Sequence, residues 1–420
     1  MFKITKIIAR EVIDSRGNPT VEAEIHINDV YIGRAIVPSG ASVGKYEAIE
    51  LRDNDLTRFN GKGVLKAVDN INKVLKENLL NVCFEHPKEI DKIIIDLDGT
   101  NNKSNLGANA TLAVSIATYK AYAKAKKVPL YRVFGDDNAN TLPIPLMNIL
   151  NGGAHANNNL DIQEFMIAPI GANSFKEGLR MCIEVYNTLK QKLKKDGHIT
   201  SVGDEGGFAP SLKDDEEALK YIVLSIKEAN YEIGKDFMIA LDVAASEWKE
   251  NELYICPKSQ KRFTSSQLIK YYEDLIEKYP IFSIEDPLGE DDVDGWIELT
   301  QKIGNKVQLV GDDLFVTNPN IFQTLSNKNI ANAILIKPNQ IGTITETLMT
   351  IKLAKSKNYN YIISHRSGDS EDTTIAHISV GTNALYIKTG APCRSERVAK
   401  YNELLRIEEE LDIKAIYGRK

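Results

Sequence analysis

One pattern recurs through the second half of the chain. A short apolar run closes on a charged or metal-competent side chain, and an amphipathic stretch with helical spacing follows. The runs are FMIALDVAASE, FSIEDP, VQLVGDD, AILIKPN, YIISHRSGD and YIKTG, and their polar ends are Asp242, Glu285, Asp312, Lys337, His365 and Lys388. A continuous apolar run reads as a strand buried on both faces, and strands alternating with helices predict a parallel sheet. About six such units in succession predict a closed (β/α) barrel, whose chemistry gathers where the strands end. Three carboxylates and two lysines delivered to one rim describe a divalent-metal site with a cationic base beside it.

At 420 residues the chain exceeds what one core usually supports, so two domains are expected. A net charge of −6 and a pI near 5.7 argue against a nucleic-acid groove, which needs a basic face. Cys83, Cys182, Cys256 and Cys393 are scattered without a CxxC pair, a pattern that reads as reduced thiols in a cytosol. The opening MFKITKIIAREVIDSRG mixes charges into an alternating strand rather than a secretory leader, and no apolar stretch is long enough to span a bilayer. These features predict a soluble, cytoplasmic protein.

The first part is organised differently. ITKIIAREVID, TVEAEIHIN and YIGRAIVPSG read as three successive strands, joined by turns that can make them an antiparallel sheet. VLKAVDNINKVLKENLL and the Ala-rich ATLAVSIATYKAYAKAKKV carry helical spacing. The segment is therefore α+β, and the polar FGDDNAN ahead of Thr141 marks a boundary. The expected division is an α+β cap over residues 1–137 and a barrel over 138–420. The barrel region opens irregularly, with two strands (PLMNILN, QEFMIAPIG), a helix, the Gly-rich VGDEGGFAPS and a second helix before the regular units begin.

The candidate chemistry follows from residue type. Hard oxygen ligands suit Mg²⁺, and three acids at equivalent ends of consecutive units are far better explained by a metal than by three separate helix caps. Lys337 is either a base, with its ammonium form disfavoured by nearby cations, or the partner of a neighbouring carboxylate. In SHRSGD (residues 364–369) Arg366 offers a fork for phosphate or carboxylate, and Ser367 offers a further donor. PSGASVGKYEA (residues 38–48) is a Gly/Ser-rich loop that could close over a site as a lid. NGGAHANNNLDIQEF and VGDEGGFAP supply His155, Glu164 and Glu205. The two glutamates could share a proton and serve as the acid opposite Lys337.

Taken together these segments resemble enolase from end to end. ARxxxDSRGNPTVE, PSGAS, NGG.HA, QEF, GDEGGFAP, ALD.AASE, SIEDP, IKPNQIGT, SHRSG and IKTGAPCRSERVAKYN occur in family order, and the compact N-terminal region looks most like bacterial enolases. The resemblance implies interconversion of 2-phosphoglycerate and phosphoenolpyruvate by an α+β cap on an enolase-superfamily TIM-like (β/α)8 barrel whose second strand is antiparallel. It implies two Mg²⁺ ions, the tighter held by Asp242, Glu285 and Asp312 and the second by Ser42 of the lid with substrate oxygens. Lys337 would remove the C2 proton, and Glu205, assisted by Glu164, would protonate the departing hydroxyl. Arg366 and Ser367 would hold phosphate, Lys388 would sit by the substrate carboxylate, and His155, Gln163 and His365 would line the pocket. The same resemblance implies a homo-oligomer, at least a dimer and up to an octamer. It also raises a secondary cell-surface role in binding plasminogen through a terminal lysine such as Lys420. Asp369 and Val43 depart from the residues usual in the family, Glu and Thr, and touch none of these roles.

The chemistry is consistent with that reading. Removing a proton beside an ionised carboxylate adds charge to an anion, so cations on the carboxylate oxygens must offset it. A hydroxyl leaves poorly unless it is protonated. The competing enzyme reading is another barrel that abstracts α-protons from carboxylates, a racemase or cycloisomerase; the lid and SHRSG loop argue against it.

Overall fold

The computed structural model describes residues 1–40 and 44–418. Its N-terminal sheet runs β3-β2-β1-β4, from β1 (Phe2–Ile13), β2 (Pro19–Ile27), β3 (Tyr31–Ile36) and β4 (Cys83–Phe84), and is antiparallel throughout. Alternation in TVEAEIHIN puts Val21, Ala23, Ile25 and Ile27 into the core. The turn between β1 and β2 is built by Asp14, whose carboxylate accepts from the backbone N–H of Arg16 and of Asn18, both at 2.9 Å.

Against this sheet lies the helix Ala108–Lys126, buried over nearly its whole circumference because it has the sheet on one side and the barrel on the other. Gly33 in β3 permits the approach: a Cβ there would fall 1.9 Å from the carbonyl oxygen of Ala117. The 64–80 stretch predicted as one helix is interrupted by a π-helical turn, Ile71–Leu75. There Asn72 turns its amide onto β1, donating to Ala9 O at 3.0 Å and accepting from Ala9 N at 2.9 Å. It stands in for a missing strand at that edge. The helix Lys88–Asp98 was not read from the sequence.

Eight strands close the barrel: β5 (Ile144–Asn151), β6 (Glu164–Ala168), β7 (Met238–Asp242), β8 (Ile281–Glu285), β9 (Gln308–Gly311), β10 (Ala333–Ile336), β11 (Asn360–Ser364) and β12 (Tyr386–Lys388). They follow chain order around the ring. Every neighbouring pair is parallel except the two made by β6, which is antiparallel to both β5 and β7. The predicted second-strand reversal is therefore present. It explains the irregular opening, since β5 and β6 are joined by the 152–163 segment without a crossover helix. A small three-stranded sheet over residues 249–263, also unread from sequence, follows β7.

Cap and barrel are bolted together at the start of the helix Ile344–Ser356. Asp91 accepts from Thr345 N at 2.9 Å and Thr345 Oγ1 at 2.6 Å, Ser115 Oγ accepts from Ile344 N at 3.0 Å, and buried Lys103 pairs with Glu346 at 2.9 Å. No helix among the described residues is long and apolar enough to cross a membrane.

Candidate active site at the barrel mouth

Register decides what meets at the rim. Asp242, last in β7, lies beside Glu285, last in β8, and beside Glu164 on its other flank. Because β6 runs the opposite way, it contributes its first residue to the rim rather than its last. A rule that looked only at strand ends would pass over Glu164. Asp312 and Lys337 each stand one residue beyond their strands.

Glu164, Asp242, Asp312 and Lys337 line one cleft together with Lys388, whose ammonium also reaches Glu285. Lys388 Nζ donates to Asp242 Oδ2 at 2.8 Å and to both Glu285 oxygens at 2.9 Å, and lies 3.3 Å from Glu164 Oε1. Burial opposes its charge, but Asp242, Glu164 and Glu285 raise its pKa well above the usual lysine value. Lys337 donates to Asp312, and Gln340 Nε2 donates to the other Asp312 oxygen at 2.9 Å. Of the two readings open for Lys337, the structure shows the ion pair, and Asp312 holds its ammonium up against the pull of burial. Burial likewise works against ionised Asp312, and Lys337 holds it below the ordinary carboxylate range.

On the opposite wall, Glu205 Oε2 lies 3.4 Å from His365 Nε2 and accepts from Asn148 Nδ2 at 3.3 Å. His155 Nδ1 is 3.6 Å from Glu164 and 3.9 Å from Glu205. Burial and the charge of Glu205 push Glu164 well above the ordinary range. For Glu205 burial acts in the same direction, yet His365 and His155 outweigh it and hold the group low. The proton of this pair therefore rests on Glu164. Burial lowers His365 to about 4, against the pull of Glu205, which favours the charged ring.

Gln163 donates from Nε2 to Asp242 Oδ2 at 3.3 Å, and its buried Oε1 has no hydrogen-bond partner among the described residues. Arg366 lies at the mouth beside Ser367, its fork on Glu47. Ser42 lies outside the described residues, as do Val43 and Lys420. The segment ahead of Ser42 is clipped to the SHRSGD loop, with Ser39 N donating to Gly368 O at 2.7 Å and Gly368 N to Ser39 O at 2.9 Å.

The donor set fits a hard cation. Glu164, Glu205, Asp242, Asp286, Asp312 and Asp313 line the cleft with Glu47, against three permanent cations, Lys337, Arg366 and Lys388. Asp286, Asp312 and Asp313 each offer an oxygen within 4.8 Å of the others. Burial, with Asp242 and Asp312 as the next causes respectively, drives Glu285 and Asp313 to about 8. So many crowded acids favour a divalent ion with oxygen ligands. Asp286 and Asp313 were missed in the sequence, although each directly follows an acid that was chosen. Asp286 receives the backbone N–H of Asp312 at 2.8 Å and of Asp313 at 3.0 Å, so it holds the β9 end in place.

Family comparison covers nearly the whole chain. A family described as "Enolase, N-terminal domain" matches residues 4–134, and "Enolase, C-terminal TIM barrel domain" matches residues 139–420. The chain belongs to the enolase family. Its two domains support a hydro-lyase carrying out enolase-type dehydration of 2-phosphoglycerate. Enolases are Mg²⁺-dependent in general, which agrees with the acidic clusters at the mouth. The DSRG turn of the family pattern has a visible structural task here. Ser15 N donates to Asp369 O at 2.8 Å, Asp369 N to Ser15 Oγ at 3.1 Å, and Arg16 Nε lies 3.0 Å from Asp204. The cap thus plugs its first turn between the two loops that carry Glu205 and Arg366.

Proposed function

We propose that this chain catalyses the Mg²⁺-dependent, reversible dehydration of 2-phospho-D-glycerate to phosphoenolpyruvate as a phosphopyruvate hydratase of glycolysis and gluconeogenesis, with residues 1–137 as cap and 138–420 as catalytic barrel. One observation carries the reading. In an eight-strand ring β6 and β10 are four places apart, so Glu164 and Lys337 stand on opposite sides of the mouth, with Asp242, Glu285 and Asp312 on the arc between them. An elimination that takes a proton from one face and protonates a leaving hydroxyl on the other needs that layout.

In this reading Lys337 takes the proton from C2. Glu205 delivers one to the C3 hydroxyl, drawing on the proton held by Glu164, so that water leaves. Arg366 and Ser367 hold the phosphate, Lys388 lies against the substrate carboxylate, and His155, Gln163 and His365 complete the walls. Asp242, Glu285 and Asp312 would hold the tighter Mg²⁺, and Ser42 would serve the second. When bound, the ions supply positive charge against the carboxylate oxygens and offset the charge of Asp312 that keeps Lys337 protonated. The family resemblance further supports a bacterial-type, cytoplasmic homo-oligomer.

Formation of phosphoenolpyruvate from 2-phosphoglycerate, followed with saturating Mg²⁺ and again with chelator, tests the reading. Turnover that chelator abolishes is expected. No turnover in saturating Mg²⁺ overturns it.

A further inference from the structure

Arg397 sits in the helix Ser395–Leu411 with no exposed surface, and its guanidinium reaches the floor of the site. Nη1 lies 2.6 Å from His365 Nδ1 and donates to Arg366 O at 2.6 Å, while Nη2 donates to Ser367 O at 2.6 Å and to Asp204 O at 3.1 Å. One side chain therefore ties together the loops that bear Glu205, Arg366 and Ser367.

A guanidinium carries only donors and keeps its proton at any working pH. The nitrogen it faces on His365 must therefore be the bare one, and the ring proton must sit on Nε2. That nitrogen lies 3.4 Å from Glu205 Oε2. We propose that Arg397 is a positioning residue that fixes His365 as the Nε2–H tautomer, so that the imidazole donates toward Glu205 rather than presenting a lone pair to it. The inference rests on the reading of Glu205 as the acid of the reaction. Asn148 already anchors Glu205 by Oε2, and the ring N–H, 3.4 Å away with no hydrogen bond among the described residues, would tighten onto the same oxygen and leave Oε1 for the substrate proton. The opposite tautomer would set a lone pair against a carboxylate oxygen and turn that anchor into repulsion.

The same logic explains why Asp369 lies beside this group rather than under it. Its Oδ1 accepts from Lys400 Nζ at 2.7 Å, and its Oδ2 is 3.6 Å from Arg397 Nη1, too far to draw the fork away from His365.

The test is ¹⁵N NMR of the full-length chain labelled only at histidine, read together with two activities. There are six histidines, and His365→Gln identifies the signal in question. The wild type is expected to show a neutral ring with an unprotonated, hydrogen-bonded Nδ1. Arg397→Met is expected to lose that signature, to drop dehydration on the order of 10²-fold, and to keep exchange of the C2 proton, which depends on Lys337. Arg397→Lys, which retains a donor-only cation, is expected to recover part of both the signature and the rate. An Nδ1–H ring in the wild type overturns the proposal, as does an unchanged tautomer in Arg397→Met. Equal loss of exchange and dehydration with the tautomer intact would show a merely structural arginine. Should Arg397→Met fail to fold, the wild-type and Arg397→Lys spectra still decide. The spectrum is read without turnover, so failure of the reaction assignment shows separately, as a wild type that forms no phosphoenolpyruvate.

Discussion

Glu47 holds Arg366 at two points, with Nη1 donating to Oε2 at 2.8 Å and Nη2 to Oε1 at 3.1 Å. Both side chains are buried, one coming from the cap and the other from the end of β11. A carboxylate and a phosphate compete for the same fork. Replacing Glu47 by Gln removes the charge that already neutralises Arg366. Inorganic phosphate, measured as a competitive inhibitor, is expected to bind on the order of tenfold more tightly to Glu47→Gln, about one charge-assisted hydrogen bond. The turnover number is expected to fall, because Gln has one accepting oxygen and cannot hold both nitrogens of the fork as Glu47 does. Weaker phosphate binding would show instead that Glu47 orients the fork.

In the proposed mechanism, the placement of Lys337 across the ring from Glu164 separates two half-reactions. Lys337→Ala is expected to abolish C2 proton exchange while metal binding survives. Glu205→Gln is expected to retain exchange and lose dehydration, each by roughly 10²–10⁴-fold, the usual contribution of a positioned acid or base. Exchange followed by deuterium incorporation checks both. Loss of exchange in both variants would disprove the division of roles.

What could be read from the sequence was whatever is encoded locally. β7 to β11 are buried on both faces, so each appears as an unbroken apolar run, and their polar ends mark the rim without reference to any other segment. Glu164 lies at the start of a reversed strand and was legible only through the QEF pattern. Glu47 and Arg397 were illegible as site residues, since nothing near them in sequence tells of a partner more than 30 positions away. Asn72 is similar: a polar residue on a helical stripe gave no sign that it would pair with the edge of β1. The direction of the Lys337 shift needed coordinates, because an adjacent carboxylate and an adjacent cation push it in opposite senses.

The crowding of acids leads to a stability prediction. Mg²⁺ at about 100 times its Kd is expected to stabilise the folded chain by about 2.7 kcal/mol, the mass-action gain for a ligand that binds only the native state. Burial and Asp242 push Glu285 up to about 8 against the pull of Lys388, which donates to both its oxygens at 2.9 Å. Gln keeps one of those acceptors, so Glu285→Gln is expected to be less stable than the wild type in chelator and, measured from that lower baseline, to lose most of the Mg²⁺-dependent gain. Undiminished stabilisation by Mg²⁺ in this variant would remove Glu285 from the ligand set.

Asp215 supplies a pH dependence away from the mouth. Its Oδ1 accepts from the backbone N–H of Asp161 at 2.9 Å and of Ile162 at 3.2 Å, fastening the segment that leads into Gln163 and Glu164. Burial, reinforced by the carboxylate of Asp161, raises its pKa to about 7. An unfolded aspartate titrates near 3.9, so between about pH 4 and 7 the folded state binds a proton that the unfolded state has released. Stability must then fall as pH rises through that window, by up to about 4 kcal/mol at 1.36 kcal/mol per unit. Asp215→Asn keeps the accepting oxygen and cannot ionise. Denaturant titrations at pH 4 and pH 8 are expected to find the variant close to wild type at the lower pH and more stable by a few kcal/mol at the higher. A gap between the two proteins that stays constant with pH would show that Asp215 is ionised in the folded chain throughout, fastened by its hydrogen bonds in spite of Asp161.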